Sequence, residues 1–296
     1  DGVLLGAGGN KCRRIKGSET FSIWCSLYAD DAGNLFATRA KLQLGLRKLF
    51  SHFKRFGLTM HVGRDGAISK TEAMFFPKAG GDYDAADTSP LEVDGGLVTF
   101  TKKFVYLGST LSTALTSVHD VTARLAKAAA IFGALRKCVF TSADITPKTK
   151  AKVYRGLVLS VLLYGSECWA LRVADERRLI CFHNRCVRVM TRISKHKQWK
   201  RHITGEELEE RCGVQSMEFY LRRRVLRWVG HIVRMEQHRL PRKLLFGWVP
   251  HPRKRGRPHL TFGHRIGRLI KVITGAKNGI ALVDEDLLSD LTDIGH

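Results

Sequence analysis

Three groups of residues in this chain are of types that do chemistry. The first is "YADD", in which Asp30 and Asp31 stand side by side between two short apolar runs. Adjacent carboxylates repel unless a cation sits on them. Hard oxygen ligands suit Mg²⁺, which keeps one or two carboxylates together with substrate phosphates. Two such ions can activate a 3′-hydroxyl and stabilise a departing pyrophosphate. A solvated turn is the plainer reading of the same pair. The second group is arginine. Arg222, Arg223, Arg224 and Arg227 crowd one side of a helical pattern that carries Leu221, Val225, Trp228, Val229 and Ile232. Arg177, Arg178, Arg185, Arg188 and Arg192 do the same on an earlier one. Such arrays neutralise duplex phosphates and release counterions, or they are solvated faces. In "RKRGRPH", Gly256 and Pro258 keep the backbone slim and extended, so Arg255 and Arg257 could enter an A·T-rich minor groove. A flexible basic linker is the alternative. The third group, Cys181, His183 and Cys186, invites zinc. On a helix only His183 and Cys186 share a face, and no Cys-x-x-Cys pair accompanies them, so core packing is the preferred account. The glycines of "LLGAGGN" lack a phosphate-loop lysine.

Elements of two kinds must position these groups. "TFSIWCSLYA" and "NLFAT" read as strands meeting at the aspartates, with Gly33 and Asn34 as turn chemistry. Residues 38–56 read as an amphipathic helix through Leu42, Leu46, Leu49, Phe50, Phe53 and Phe56, stopped by Gly57. "GLTMHV" and "EAMFF" read as short strands, residues 78–90 as a surface loop, and "FVYLGSTLS" as a strand and turn. From about residue 116 the pattern turns helical. Val118, Val121, Leu125, Ala128, Phe132 and Leu135 make one stripe. Thr146 and Pro147 open a second helix that ends at Gly165. Further helices are expected over 175–193, from a capping box at Thr204 and Glu207, and over 216–235. No internal repeat is evident.

The charge balance narrows the partners. The 296 residues hold 50 Lys and Arg against 27 Asp and Glu, a formal net charge of +23. Residues 172–271 alone hold 26 against 8. That field favours polyanions, nucleic acid first and an anionic membrane surface second. With 44% hydrophobic residues, a packed core is expected rather than disorder. No apolar run approaches the ~18 residues of a membrane span. Seven cysteines without tight pairing fit a reducing intracellular compartment, nucleus or cytoplasm. A first residue of Asp and no signal peptide suggest a fragment or a processed product.

"YADD" with its apolar flanks resembles the signature of reverse transcriptases. "FVYLGSTLS" resembles the primer-grip segment that follows it in the non-LTR retrotransposon class. "GLTMHV…SKTEAMFF" resembles the intervening palm segment. "SVLLYGSECWAL", "FHNRCVRVM" and "RRVLRWVGHIVRM…RLPRKLL" resemble the downstream part of such elements. The matches fall in family order over roughly residues 20–265. The resemblance implies an α+β fold, with a partial palm of antiparallel strands plus helix at 1–115. An all-α thumb at 116–203 and a basic helical and extended region at 204–296 would follow. It implies RNA-directed DNA synthesis with two Mg²⁺, an RNA template, a DNA primer or target and deoxynucleotides, and no membrane. Asp30 and Asp31 match the metal-binding pair, with Asp30 preferred as the direct ligand. Tyr28 would lie near the nascent base pair. Lys70 matches a palm lysine placed to steady the pyrophosphate, or it is a surface lysine. Phe104, Tyr106, Leu107 and Gly108 match the primer grip. The family site needs a third carboxylate from an earlier palm strand, and only Asp1 and Glu19 precede Asp30. The chain by itself is therefore expected to be inactive. The alternative is a non-catalytic nucleic-acid-binding remnant of a decayed element, and a helical adaptor for acidic protein is a third reading.

Overall fold

The structure, a computed structural model, describes residues 3–5, 21–64, 69–76, 88–246, 266–267 and 269. They fall into two units, one within Asp1–Phe104 and Gln237–Arg257, the other within Val105–Glu236 and Pro258–His296.

The first unit is built from short strands and one long helix. β1 (Val3–Leu5) pairs antiparallel with β2 (Phe21–Ile23). β3 (Cys25–Tyr28) pairs antiparallel with β4 (Asp31–Asn34) as a separate hairpin. The turn is Ala29 and Asp30, not Gly33 and Asn34, which sit inside β4 opposite Ser26 and Cys25. α1 (Arg39–Arg55) begins at Thr38, whose hydroxyl accepts from Lys41 N–H at 3.3 Å, and ends before Gly57 at φ +71°. Its Leu42, Leu46 and Phe50 pack on a small three-stranded sheet. In that sheet β7 (Gly96–Phe100) lies between β5 (Glu72–Ala73) and β6 (Leu91–Val93). Asp94 (φ +49°) and Gly95 (φ +71°) join β6 to β7, the positive-φ pair that a type I′ hairpin requires. Leu91, Val93 and Val98 are buried beneath α1. The strand expected at "GLTMHV" does not form, and only the next residue, Gly63, bridges to Leu97; that at "EAMFF" reduces to two residues.

β8 (Lys103–Tyr106) and β9 (Ser109–Ser112) form a hairpin that leads into the second unit. α2 (Val118–Ala134) follows with Val121, Ala128 and Phe132 buried. A π-helical turn at Arg136–Phe140 stacks Phe140 on Phe132, ring centroids 4.2 Å apart. The next helix is continuous but not uniform: α3 (Pro147–Val153), a π-helical stretch at Tyr154–Leu159, then α4 (Ser160–Leu162). Thr146 caps it and Gly165 ends it at φ +71°. Lys150, almost fully buried, donates to Ser142 O at 2.6 Å, which satisfies its amine. α5 (Val173–Thr191), α6 (Lys195–Lys200), α7 (Gly205–Cys212) and α8 (Met217–Val233) complete the bundle. A short α9 (Leu240–Phe246) comes after it in the chain. One apolar cluster runs from Val121 through Tyr154, Leu162, Leu179 and Met190 to Leu208, Met217 and Leu221. The core therefore crosses the boundary expected at 203/204, because α7 and α8 bury their apolar stripes against the earlier helices.

Candidate nucleic-acid interface

The two-residue turn sets what the aspartates can do. Tyr28 and Asp31 are direct partners across the hairpin, so their side chains share one face. Gly33, opposite Ser26, adds no side chain to that face. Asp30 occupies the turn, beside Ala29 at φ +51°, a conformation that costs an L residue about 1–2 kcal/mol. Tyr28, Asp30 and Asp31 are all exposed. Two carboxylates and an aromatic ring therefore stand together on a solvent-facing tip. Among the described residues, no group of three or more His, Cys, Asp or Glu is arranged to hold a metal ion. Lys70 is exposed, and its backbone N–H bonds His61 Nδ1 at 3.1 Å.

Leu107 (φ +47°) and Gly108 (φ +79°) form the tip of the β8–β9 hairpin. Tyr164 O–H donates to Leu107 O at 3.0 Å, and Arg124 Nη2 donates to Gly108 O at 2.6 Å. The Arg124 guanidinium lies over the Tyr164 ring, 4.3 Å from its centroid. Asp120 Oδ1 accepts from Thr110 N–H at 2.9 Å and lies 3.9 Å from Arg124 Nε. Its other oxygen accepts from Trp169 Nε1 at 2.7 Å. Asp120, Arg124, Tyr164 and Trp169 were not among the candidates drawn from sequence. Their signal was an Asp–Arg pair at i,i+4 in an otherwise apolar stripe, and the two aromatic residues of "YGSECW". Of the expected primer-grip residues, Leu107 and Gly108 form this tip, while Phe104 and Tyr106 lie in β8.

The α8 arginines divide. Arg223, Arg224 and Arg227 line a groove of about 580 Å³ with Arg155, His231, Tyr220, Trp228 and Glu167. Arg222 is exposed on α8 outside this lining, and Arg185 and Arg188 lie on α5. Among the described residues, Arg222, Arg223, Arg224 and Arg227 make no ion pair with a carboxylate. Arg155 uses one nitrogen on Gly213 O at 2.6 Å, which fixes it at the groove edge. Arg178 is committed elsewhere, to Asp175 at 3.5 Å and Thr122 at 3.0 Å. Arg255 and Arg257 lie outside the described residues.

The cysteines and histidine of α5 do not converge. Cys181 is exposed while His183 and Cys186 are buried. His183 Nδ1 bonds Tyr154 O–H at 2.9 Å, and its Nε2 lies 3.5 Å from Glu209 Oε1. Burial lowers the His183 pKa to about 4 and pushes the Cys186 thiol up to about 12. A protonated, buried thiol is a core residue rather than a ligand.

No family model matches this chain, and no solved structure matches it. The chain is 25% identical over 148 residues to an uncharacterized transposon-derived protein of Caenorhabditis elegans. The match takes in 50% of this chain and 52% of that protein, so the chain spans about half the length of the curated relative. This likeness fits a transposable-element origin.

Proposed function

We propose that the chain is the late-palm and helical part of a non-LTR retrotransposon reverse transcriptase. The observation that carries this reading is the hairpin tip that sets Tyr28, Asp30 and Asp31 together in solvent. A two-residue turn holds the two carboxylates at fixed separation, which a ligand pair needs. Asp30 and Asp31 would hold Mg²⁺, which supplies activation of a 3′-hydroxyl and stabilisation of pyrophosphate. Their exposed oxygens leave room for water, substrate phosphates and the third carboxylate that the family site requires. Tyr28 offers a ring on the Asp31 face for the incoming nucleotide. The Leu107 and Gly108 turn bears on the primer strand, and the α8 groove holds template–primer phosphates.

The test is nucleotide incorporation on an RNA template by four proteins. These are the chain alone, the chain joined to a first-palm segment that supplies the third carboxylate, and each of these with Asp30→Ala and Asp31→Ala together. Synthesis should appear only in the joined protein and vanish when the aspartates are replaced. A folded, joined protein whose synthesis ignores both aspartates defeats the reading. A non-catalytic nucleic-acid-binding role is the second reading, favoured by the unpaired arginines of the groove. Duplex binding without aspartate-dependent synthesis in the joined protein would select it.

A further inference from the structure

The "YGSECW" segment has no role in the reading above, yet Tyr164 and Gly165 meet the β8–β9 hairpin directly and Trp169 reaches it through Asp120. Gly165 takes φ +71°, and a Cβ added there would come within 2.8 Å of Ser109 Oγ. A side chain there would force the Ser109 hydroxyl to rotate aside. The chain before it places Tyr164 to bond Leu107 O. The chain after it buries Trp169, whose N–H holds the Asp120 carboxylate that accepts from Thr110 N–H. Arg124, buried beside Asp120, closes the arrangement on Gly108 O. Both tip carbonyls are thus turned inward and bonded. The N–H groups of Leu107 and Gly108 make no bond to the described residues. Leu107 takes positive φ without being glycine, a state that persists only when the surroundings over-determine it.

We infer that Asp120, Arg124, Tyr164 and Trp169 are positioning residues that lock the Leu107 and Gly108 turn with its carbonyls inward and its N–H groups presented to a strand phosphate. The inference rests on the reverse-transcriptase reading for the identity of that strand. The lock itself does not. Successive backbone N–H groups held in a fixed turn make an anion-binding concavity that needs no side chain. Arg124 serves by geometry rather than net charge: its fork reaches a carbonyl while its plane rests on Tyr164.

The experiment uses the whole chain and two mild variants, Tyr164→Phe and Arg124→Lys. Tyr164 is half exposed, so its phenylalanine variant keeps the ring and loses only the hydroxyl. Amide exchange at residues 105–112 is measured first. Loss of one tip bond should speed exchange there about tenfold with little change in α5 and α8. Unchanged exchange in both variants refutes the lock. Binding is then compared between an RNA–DNA duplex with a recessed 3′ end and a continuous duplex of the same length. The chain should favour the recessed end, and both variants should lose that preference while keeping affinity for the continuous duplex. A purely structural role would weaken both duplexes together, and that result overturns the positioning role. Loosened amides with an intact end preference overturn it as well. A parent chain with no end preference removes the primer-strand reading itself, whatever the amides do.

Discussion

At the residue scale, His183 is the sharpest case of a group whose type invites one function and whose surroundings assign another. It is fully buried, bonded to the Tyr154 hydroxyl and close to Glu209. Burial lowers its pKa from 6.5 to about 4. Between those values the unfolded chain binds a proton that the folded chain refuses. Stability therefore rises with pH through this window and is lost as pH falls from 6.5 toward 4, by at most about 3 kcal/mol. Glu209 titrates in the opposite sense, because burial and then the nearby Glu218 and Glu206 raise its carboxyl. The measurement is thus urea unfolding across pH 4–7 for the chain and for His183→Gln. The variant should lose the part of the slope that belongs to histidine. A slope that does not change excludes His183 as its source. Gly165 and Gly133 form a second pair at this scale. Gly165→Ala should cost about 1–2 kcal/mol, because it puts an L residue at positive φ and makes the Ser109 hydroxyl rotate aside. Gly133→Ala, in α2 with open space around it, should stabilise by about 0.5–1 kcal/mol. Denaturant midpoints that move together rather than apart would contradict both contact arguments.

At the element scale, helices were far more readable than strands. Thr38, Thr146, Thr204 and Ser216 each cap a helix through a side-chain oxygen. Each is followed by apolar residues at a period of 3.6, so type and start could be read together. The strands are two to five residues long, too short for a period of two to establish itself. Turns misled for a specific reason. Gly33 and Asn34 carry turn propensity, but pairing of Tyr28 with Asp31 sets the register and forces Ala29 into positive φ. Asp94 and Gly95 are a strong hairpin signal, and the two strands they join, β6 and β7, were not among the expected elements. The Leu107 turn was legible in "FVYLGSTLS", but what holds it was not, since Tyr164 and Arg124, distant in sequence, bond its carbonyls. The aspartate pair was legible in the candidate site because its chemistry is contiguous. The division of arginines into groove and non-groove members was not, because it depends on which face of α8 meets α5 and the turn at Ser166–Cys168.

At the scale of the molecule, the four α8 arginines carry charge that, among the described residues, no carboxylate pairs. The glutamates of α7 do not pair with the α8 arginines. If the chain binds nucleic acid as proposed, log K should fall with log salt at a slope near −5 for about six phosphates contacted. Replacing Arg223, Arg224 and Arg227 together by Ala should make that slope shallower by about three. The same change should alter affinity for different duplex sequences by the same factor. Fluorescence anisotropy between 50 and 200 mM salt, about the range over which such slopes are read, measures both. A slope that does not respond to the triple replacement would assign the binding to another surface.

The β3–β4 hairpin also bears on how the chain behaves in a tube. It is a sheet of two strands among the described residues. Leu27 and Tyr28 lie on it and Trp24 just before it, at 61–71% exposure. Apolar side chains exposed together favour contact with another copy. Self-association should therefore grow with concentration even though the high positive charge opposes it, and it should grow further as salt screens that repulsion. Leu27→Lys places a charge among these side chains without replacing Asp30 or Asp31. Light scattering at high salt should fall in this variant while the α1 and α8 helices keep their circular dichroism. The exposure that leaves the two carboxylates open to solvent would, by the same geometry, seed the chain's own precipitation.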